Sequence, residues 1–129
     1  MKKVLLSLLI VISLFSCKEE LPKNISSALD SRNHYYDACT EVEKIIFALS
    51  DSDIEKLSKD SIFTLTYHHE TYKEFYEKYD KELKELLKYN PEYSDHPDMK
   101  LKNDGLMSKD INKLYDNLIK LDRKNFSID

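Results

Sequence analysis

The sequence predicts an all-α protein, a small antiparallel bundle of three helices, or four if the middle one breaks. Three observations carry this. The 129 residues hold one glycine and three prolines, too few to punctuate a chain of short strands. Period-two alternation is nearly absent beyond the N-terminal apolar run. Apolar residues instead recur at spacings of three and four, which places them on one helical face.

The first helix is expected over residues 27–49. Tyr35, Ala38, Cys39, Val42, Ile45, Ile46 and Leu49 share a face, and Ser50-Asp51-Ser52 ends it. Ser52 and Glu55 then read as a capping box. In such a box the serine oxygen accepts from an amide three residues on, and the glutamate reaches back to the serine amide. From Ile54 the helical period continues through Leu57, Leu65, His68, Tyr72, Phe75, Tyr76, Tyr79, Leu83 and Leu86. Asn90-Pro91 stops it, because proline disfavours helical backbone in the residue before it. Unbroken, this helix would be on the order of 55 Å long. Residues 62–67 are rich in β-branched and aromatic side chains, indifferent helix formers, so a kink or short break is expected near Asp60-Ser61. The Lys/Glu-rich part, residues 72–88, is expected to project beyond the bundle or pair with a second copy. A long connection over residues 90–107 contains Pro91, Pro97 and Gly105. A third helix is expected from Ser108 as N-cap, with Ile111, Leu114, Leu118 and Leu121 as its stripe.

The N-terminus has a different character. Met1-Lys2-Lys3 precedes residues 4–15, which are apolar except for Ser7 and Ser13, and Leu14-Phe15-Ser16-Cys17 closes the run. Such a run is too short for a bilayer core, which needs about 20 residues. Its place behind lysines fits an export signal. The segment resembles the lipobox of a bacterial lipoprotein signal peptide. That resemblance implies cleavage after Ser16, diacylglyceryl transfer to the Cys17 thiol and acylation of the new amino terminus. Lys18-Glu19-Glu20 is similar to the acidic export tags of some cell-surface lipoproteins. Lys18, standing where an aspartate would signal inner-membrane retention, favours the outer membrane. The expected organisation is a cleaved signal at 1–16, a lipidated tether at 17–26 and a helical bundle at 27–129. The lipid anchor implies an outer-membrane location, with the surface and periplasmic sides both open.

Removing the first 16 residues would leave 113, enough for one domain. The formal charge would pass from −4 to −6 with the loss of Lys2 and Lys3. An acidic domain without a basic cluster is a poor partner for nucleic acid, so the expected partners are the bilayer, through acylated Cys17, and an envelope protein. Self-association of the Lys/Glu-rich helix is a further expectation. Cys39 then has no cysteine partner in the chain and reads as a small buried hydrophobe.

No motif assigns catalysis, a metal or a cofactor, and none of the three is expected. His68-His69-Glu70 superficially matches the label of hemerythrin-like iron proteins, but Tyr72 and Lys73 stand one turn on, where ligands are needed. Adjacent helical residues also point about 100° apart, so the two histidines cannot share an ion. His34, Asp37 and Glu41 share a face, a weak arrangement for a divalent cation. His96 lies near Asp95 and Asp98 in the long connection and is a second weak candidate. Asp51, Asp53 and Glu55 begin like a calcium loop, yet Lys56 and Ile62 occupy the glycine and bidentate-glutamate positions. Glycine-dependent nucleophile elbows and phosphate loops are absent.

Tyrosine is the unusual enrichment, with nine copies and no tryptophan. The rings either fill a thin bundle core or form a protein-binding face, for which Tyr72 and Tyr76 are the candidates. The functional expectation is an outer-membrane-anchored protein-binding or accessory module of the cell envelope. The alternatives are an immunity protein that neutralises a basic toxin and a small-ligand or metal carrier that uses the bundle interior.

Overall fold

The structure, a computed structural model, describes residues 20–101 and 111–126. Ser16, Cys17, Lys18, Glu19 and the expected N-cap Ser108 lie outside the described residues. Among the described residues the chain forms α1 (Lys23–Ala48), α2 (Asp51–Lys56), α3 (Lys59–Tyr89) and α4 (Ile111–Asn125), with no strand. Two 3₁₀ turns, Pro91–Tyr93 and Pro97–Met99, occupy the start of the long connection. The fold is thus an all-α small helical bundle, and none of these helices is long and apolar enough to cross a membrane.

Helix α1 begins four residues ahead of the expected start. Ile25, placed by the sequence reading in the tether, is 0% exposed and packs with Ala28, Leu29 and Leu83. Pro22 serves as N-cap, and its carbonyl accepts from the Ser26 amide at 2.9 Å. Ile45 departs from the expected stripe and is 51% exposed, because the buried face follows Cys39, Val42 and Ile46.

The capping box sits two residues earlier than the sequence suggested. Ser50 Oγ accepts from the Asp53 amide at 3.1 Å, and the Asp53 carboxylate accepts from the Ser50 amide at 2.9 Å. These bonds hold the Asp53 carboxyl below its ordinary value, the Ser50 backbone amide contributing most. The break expected near Asp60-Ser61 also lies earlier, at Leu57-Ser58, where Ser58 Oγ accepts from the Ser61 amide. Beyond it α3 runs unbroken through the β-branched stretch. Thr64 and Thr66 donate to the carbonyls of Asp60 and Ile62, so their hydroxyls are satisfied without interrupting the helix. Asn90 closes α3 as expected, donating to the Leu86 carbonyl at 2.9 Å.

Helices α1 and α3 pack antiparallel along their lengths and divide the core into two clusters. One end holds Ile25, Ala28, Leu29 and Leu83, roofed by Leu21, Leu86, Tyr93 and Met99. Burial of Leu83 there means that the Lys/Glu-rich part of α3 lies along α1 rather than projecting from the bundle. The other end joins Val42, Ile46, Ile54 and Ile62 to Leu114 and Leu121 of α4. Between the clusters the filling is aromatic and polar. Tyr35 stacks on Phe75 and Tyr79 at ring-centroid distances of 4.9 and 5.7 Å, while Tyr36 meets Tyr76 at 5.3 Å. Buried Arg32 donates to the Met99 carbonyl at 2.7 Å and stands 3.9 Å from Asp80.

Helix α4 supplies caps as well as apolar area. Asn117 donates to the carbonyls of Ile46 and Leu49 at the end of α1, where the Ile46 carbonyl also accepts from the Leu49 amide at 3.2 Å. Lys124 donates to the carbonyls of Ile54, Glu55 and Leu57 at the end of α2. A cation at a helix C-terminus is also favoured by the helix dipole.

Candidate functional site

The middle layer, where α1 and α3 lack aliphatic filling, contains the chemistry. Cys39 and Glu43 are one turn apart on α1, and both are buried. His69 approaches from α3 with its side chain largely covered. The Cys39 thiol lies 3.5 Å from Glu43 Oε1, to which it donates, and His69 Nε2 lies 3.9 Å from Glu43 Oε2. One ligand-capable atom from each of the three residues falls within 4.8 Å of the others, an arrangement found for no other trio among the described residues.

Burial pushes the Cys39 thiol up to about 12, reinforced by the charge of Glu43 and by the hydrogen bond to it. Lys73 acts in the opposite direction and Glu77 in the same direction, both more weakly than Glu43. Cys39 is therefore a neutral thiol at neutral pH and a poor nucleophile, since the thiolate is the reactive form.

These residues form one wall of a recess of about 80 Å³. Tyr36 and Tyr76 continue that wall, and Leu114, Tyr115 and Leu118 of α4 form the opposite one. Desolvation, with the negative charge of Asp80 second, raises the Tyr76 hydroxyl above its ordinary value, so it stays protonated. The recess thus combines apolar walls with phenol, thiol, carboxylate and imidazole groups.

The structure separates the two tyrosines singled out from sequence. Tyr76 lines the recess. Tyr72 instead packs against the Val42–Ile46 end of the core and lies 6.3 Å from Tyr35 and 5.4 Å from His68. His68 is exposed, and it diverges from His69 as adjacent helical residues must. His34, Asp37 and Glu41 are all exposed, with His34 edge-on to Tyr35. His96 Nδ1 accepts from the Asp98 amide at 3.1 Å, capping the second 3₁₀ turn. Asp51 meets Lys120 at 2.6 Å, Asp53 is engaged in its cap, and Glu20 is exposed.

Sequence reading did not bring Cys39, Glu43 and His69 together. The i, i+4 pair was legible as one helical face, but its partner depends on the register of α3 against α1. Comparison of the chain with protein-family models, curated proteins and solved structures finds no match in any of the three.

Proposed function

We propose that the protein is a helical protein-binding module of a bacterial cell envelope, held to the outer membrane through acylated Cys17. The recess between α1, α3 and α4 carries the binding part of this reading. At about 80 Å³ it is far smaller than the roughly 300–1,000 Å³ of small-molecule sites, which disfavours a carrier that encloses a ligand in the bundle interior. The size suits one anchoring side chain of a partner, with aromatic walls of the kind enriched at interface hot spots. Tyr76 contacts the anchor, while Tyr72 holds α3 in place through the core. The lipobox-like segment supports the anchoring part, and confinement to a membrane would raise the effective concentration of the module toward other envelope components.

In-cell cross-linking followed by affinity recovery and mass spectrometry tests the binding. The expected result is one dominant partner that is lost in a Tyr76→Ala variant that circular dichroism shows to be still folded. Recovery of the protein alone, or an identical partner set from Tyr76→Ala, would refute the reading. Metabolic labelling with palmitate tests the anchor, and label on the wild type but not on Cys17→Ala is expected.

A further inference from the structure

We propose that Cys39, Glu43 and His69 bind a single divalent transition-metal ion, with zinc the ion their chemistry favours. The inference goes beyond the binding role above and does not depend on it. Three features of the site support it.

The donor set is one sulfur, one carboxylate oxygen and one imidazole nitrogen, the types that zinc takes in protein sites. Hard cations such as calcium and magnesium prefer oxygen alone.

The spacing is also within side-chain reach of a shared ion. Zinc–ligand distances of about 2.0–2.3 Å at tetrahedral angles place neighbouring donors about 3.3–3.6 Å apart. Cys39 Sγ lies 3.5 Å from Glu43 Oε1 and His69 Nε2 lies 3.9 Å from Glu43 Oε2. One donor atom from each residue falls within 4.8 Å of the other two, so side-chain rotation has to draw the set together onto one ion. Two of the donors share one helix face and the third comes from the facing helix, so the backbone of the bundle holds the set.

Charge gives the third argument. A thiolate, a carboxylate and a neutral imidazole around a dication sum to zero, which suits a buried site better than an uncompensated charge. The thiol proton leaves to solvent as the metal–sulfur bond forms. With three protein ligands the fourth position faces the recess beside Tyr76, open to water or to a donor atom from outside.

The test uses the full chain carrying Cys17→Ser, so that Cys39 is the sole thiol. Metal-free protein is titrated with Co²⁺ and, separately, with Zn²⁺. The expected result is a thiolate-to-cobalt charge-transfer band that saturates at one equivalent, is displaced by Zn²⁺, and accompanies a rise in melting temperature. Loss of second-shell partners typically costs 10–100-fold in metal affinity, so Cys39→Ser and His69→Gln, which remove ligands, should each cost more than about 100-fold. Circular dichroism of both variants checks that they remain helical, and His69→Gln, nearer the surface, serves if Cys39→Ser does not fold. The proposal is overturned by absence of the band at millimolar Co²⁺, or by affinity unchanged in a folded variant. The latter would place the ion elsewhere, for instance at His34, Asp37 and Glu41.

Discussion

Asn117→Ala probes the claim that α4 stabilises the bundle through caps as much as through apolar area. Asn117 is buried, and its amide donates to the Ile46 carbonyl at 2.8 Å and to the Leu49 carbonyl at 3.1 Å. Truncation leaves the buried Ile46 carbonyl with the Leu49 amide, at 3.2 Å, as its remaining partner, so the lost second hydrogen bond costs about 0.5–1.5 kcal/mol. The Leu49 carbonyl is partly exposed and can turn to water, so its loss costs about 0.5–1.5 kcal/mol. Alanine recovers at most about 0.7 kcal/mol in helix propensity. The net expectation is a destabilisation of about 0.5–3 kcal/mol, a measurable fraction of the ~5–15 kcal/mol that holds a typical domain together. Urea unfolding followed by far-UV circular dichroism measures it, with exposed Asn112→Ala on the same helix as control. Asn117→Asp should be worse than alanine, because it sets a carboxylate against two carbonyl oxygens. If Asn117→Ala matched the Asn112 control, or if aspartate were tolerated as well as alanine, the capping argument would fail.

Other expectations follow from the same packing. Ile25→Ala should cost about 2–5 kcal/mol in urea unfolding, as for a fully buried aliphatic side chain, whereas exposed Lys23→Ala should change little; near-equality of the two would remove residues 23–26 from the folded unit. Ser50→Ala should cost about 1 kcal/mol as the loss of an N-cap, with Ser52→Ala close to neutral. Because the folded-state value of Asp53 is depressed below the ordinary 3.8, its contribution is fully present above 3.8 and is lost as pH falls through the lower folded value. The urea midpoint of Asp53→Asn should therefore fall less steeply over that acid range than that of the wild type, and parallel curves would refute this. Arg32→Met removes the donors to the Met99 carbonyl and the pairing with Asp80, so amide exchange should accelerate in Pro91–Met99 while the α4 amides stay protected. Unchanged exchange in the two 3₁₀ turns would mean that Tyr93 and Met99 alone hold that segment.

Local information carried the helical class, the end of α3 at Asn90-Pro91 and the α4 stripe of Ile111, Leu114, Leu118 and Leu121. Each depends on residues within one or two turns, where propensity, proline sterics and the 3.6-residue period act directly. The choice between caps was less local. Ser50 with Asp53 and Ser52 with Glu55 both satisfy the spacing rule, and the register that takes Ser50 places Ile54 in the core with Ile46 and Leu121. Ile25 looked like part of a tether because its burial depends on Leu83, far along the chain.

The candidate site shows the same division. Cys39 and Glu43 share a face by sequence alone, a feature evident once residues four apart are compared. Their meeting with His69 follows from the antiparallel register of α1 against α3, which the two apolar clusters and the Tyr35–Phe75 and Tyr36–Tyr76 contacts fix together. The caps from Asn117 and Lys124 likewise depend on where α4 docks. One-dimensional periodicity determines which face of each helix is apolar. Only the packing of those faces decides which polar groups are enclosed together, because burial and hydrogen-bond satisfaction are settled across all the helices at once.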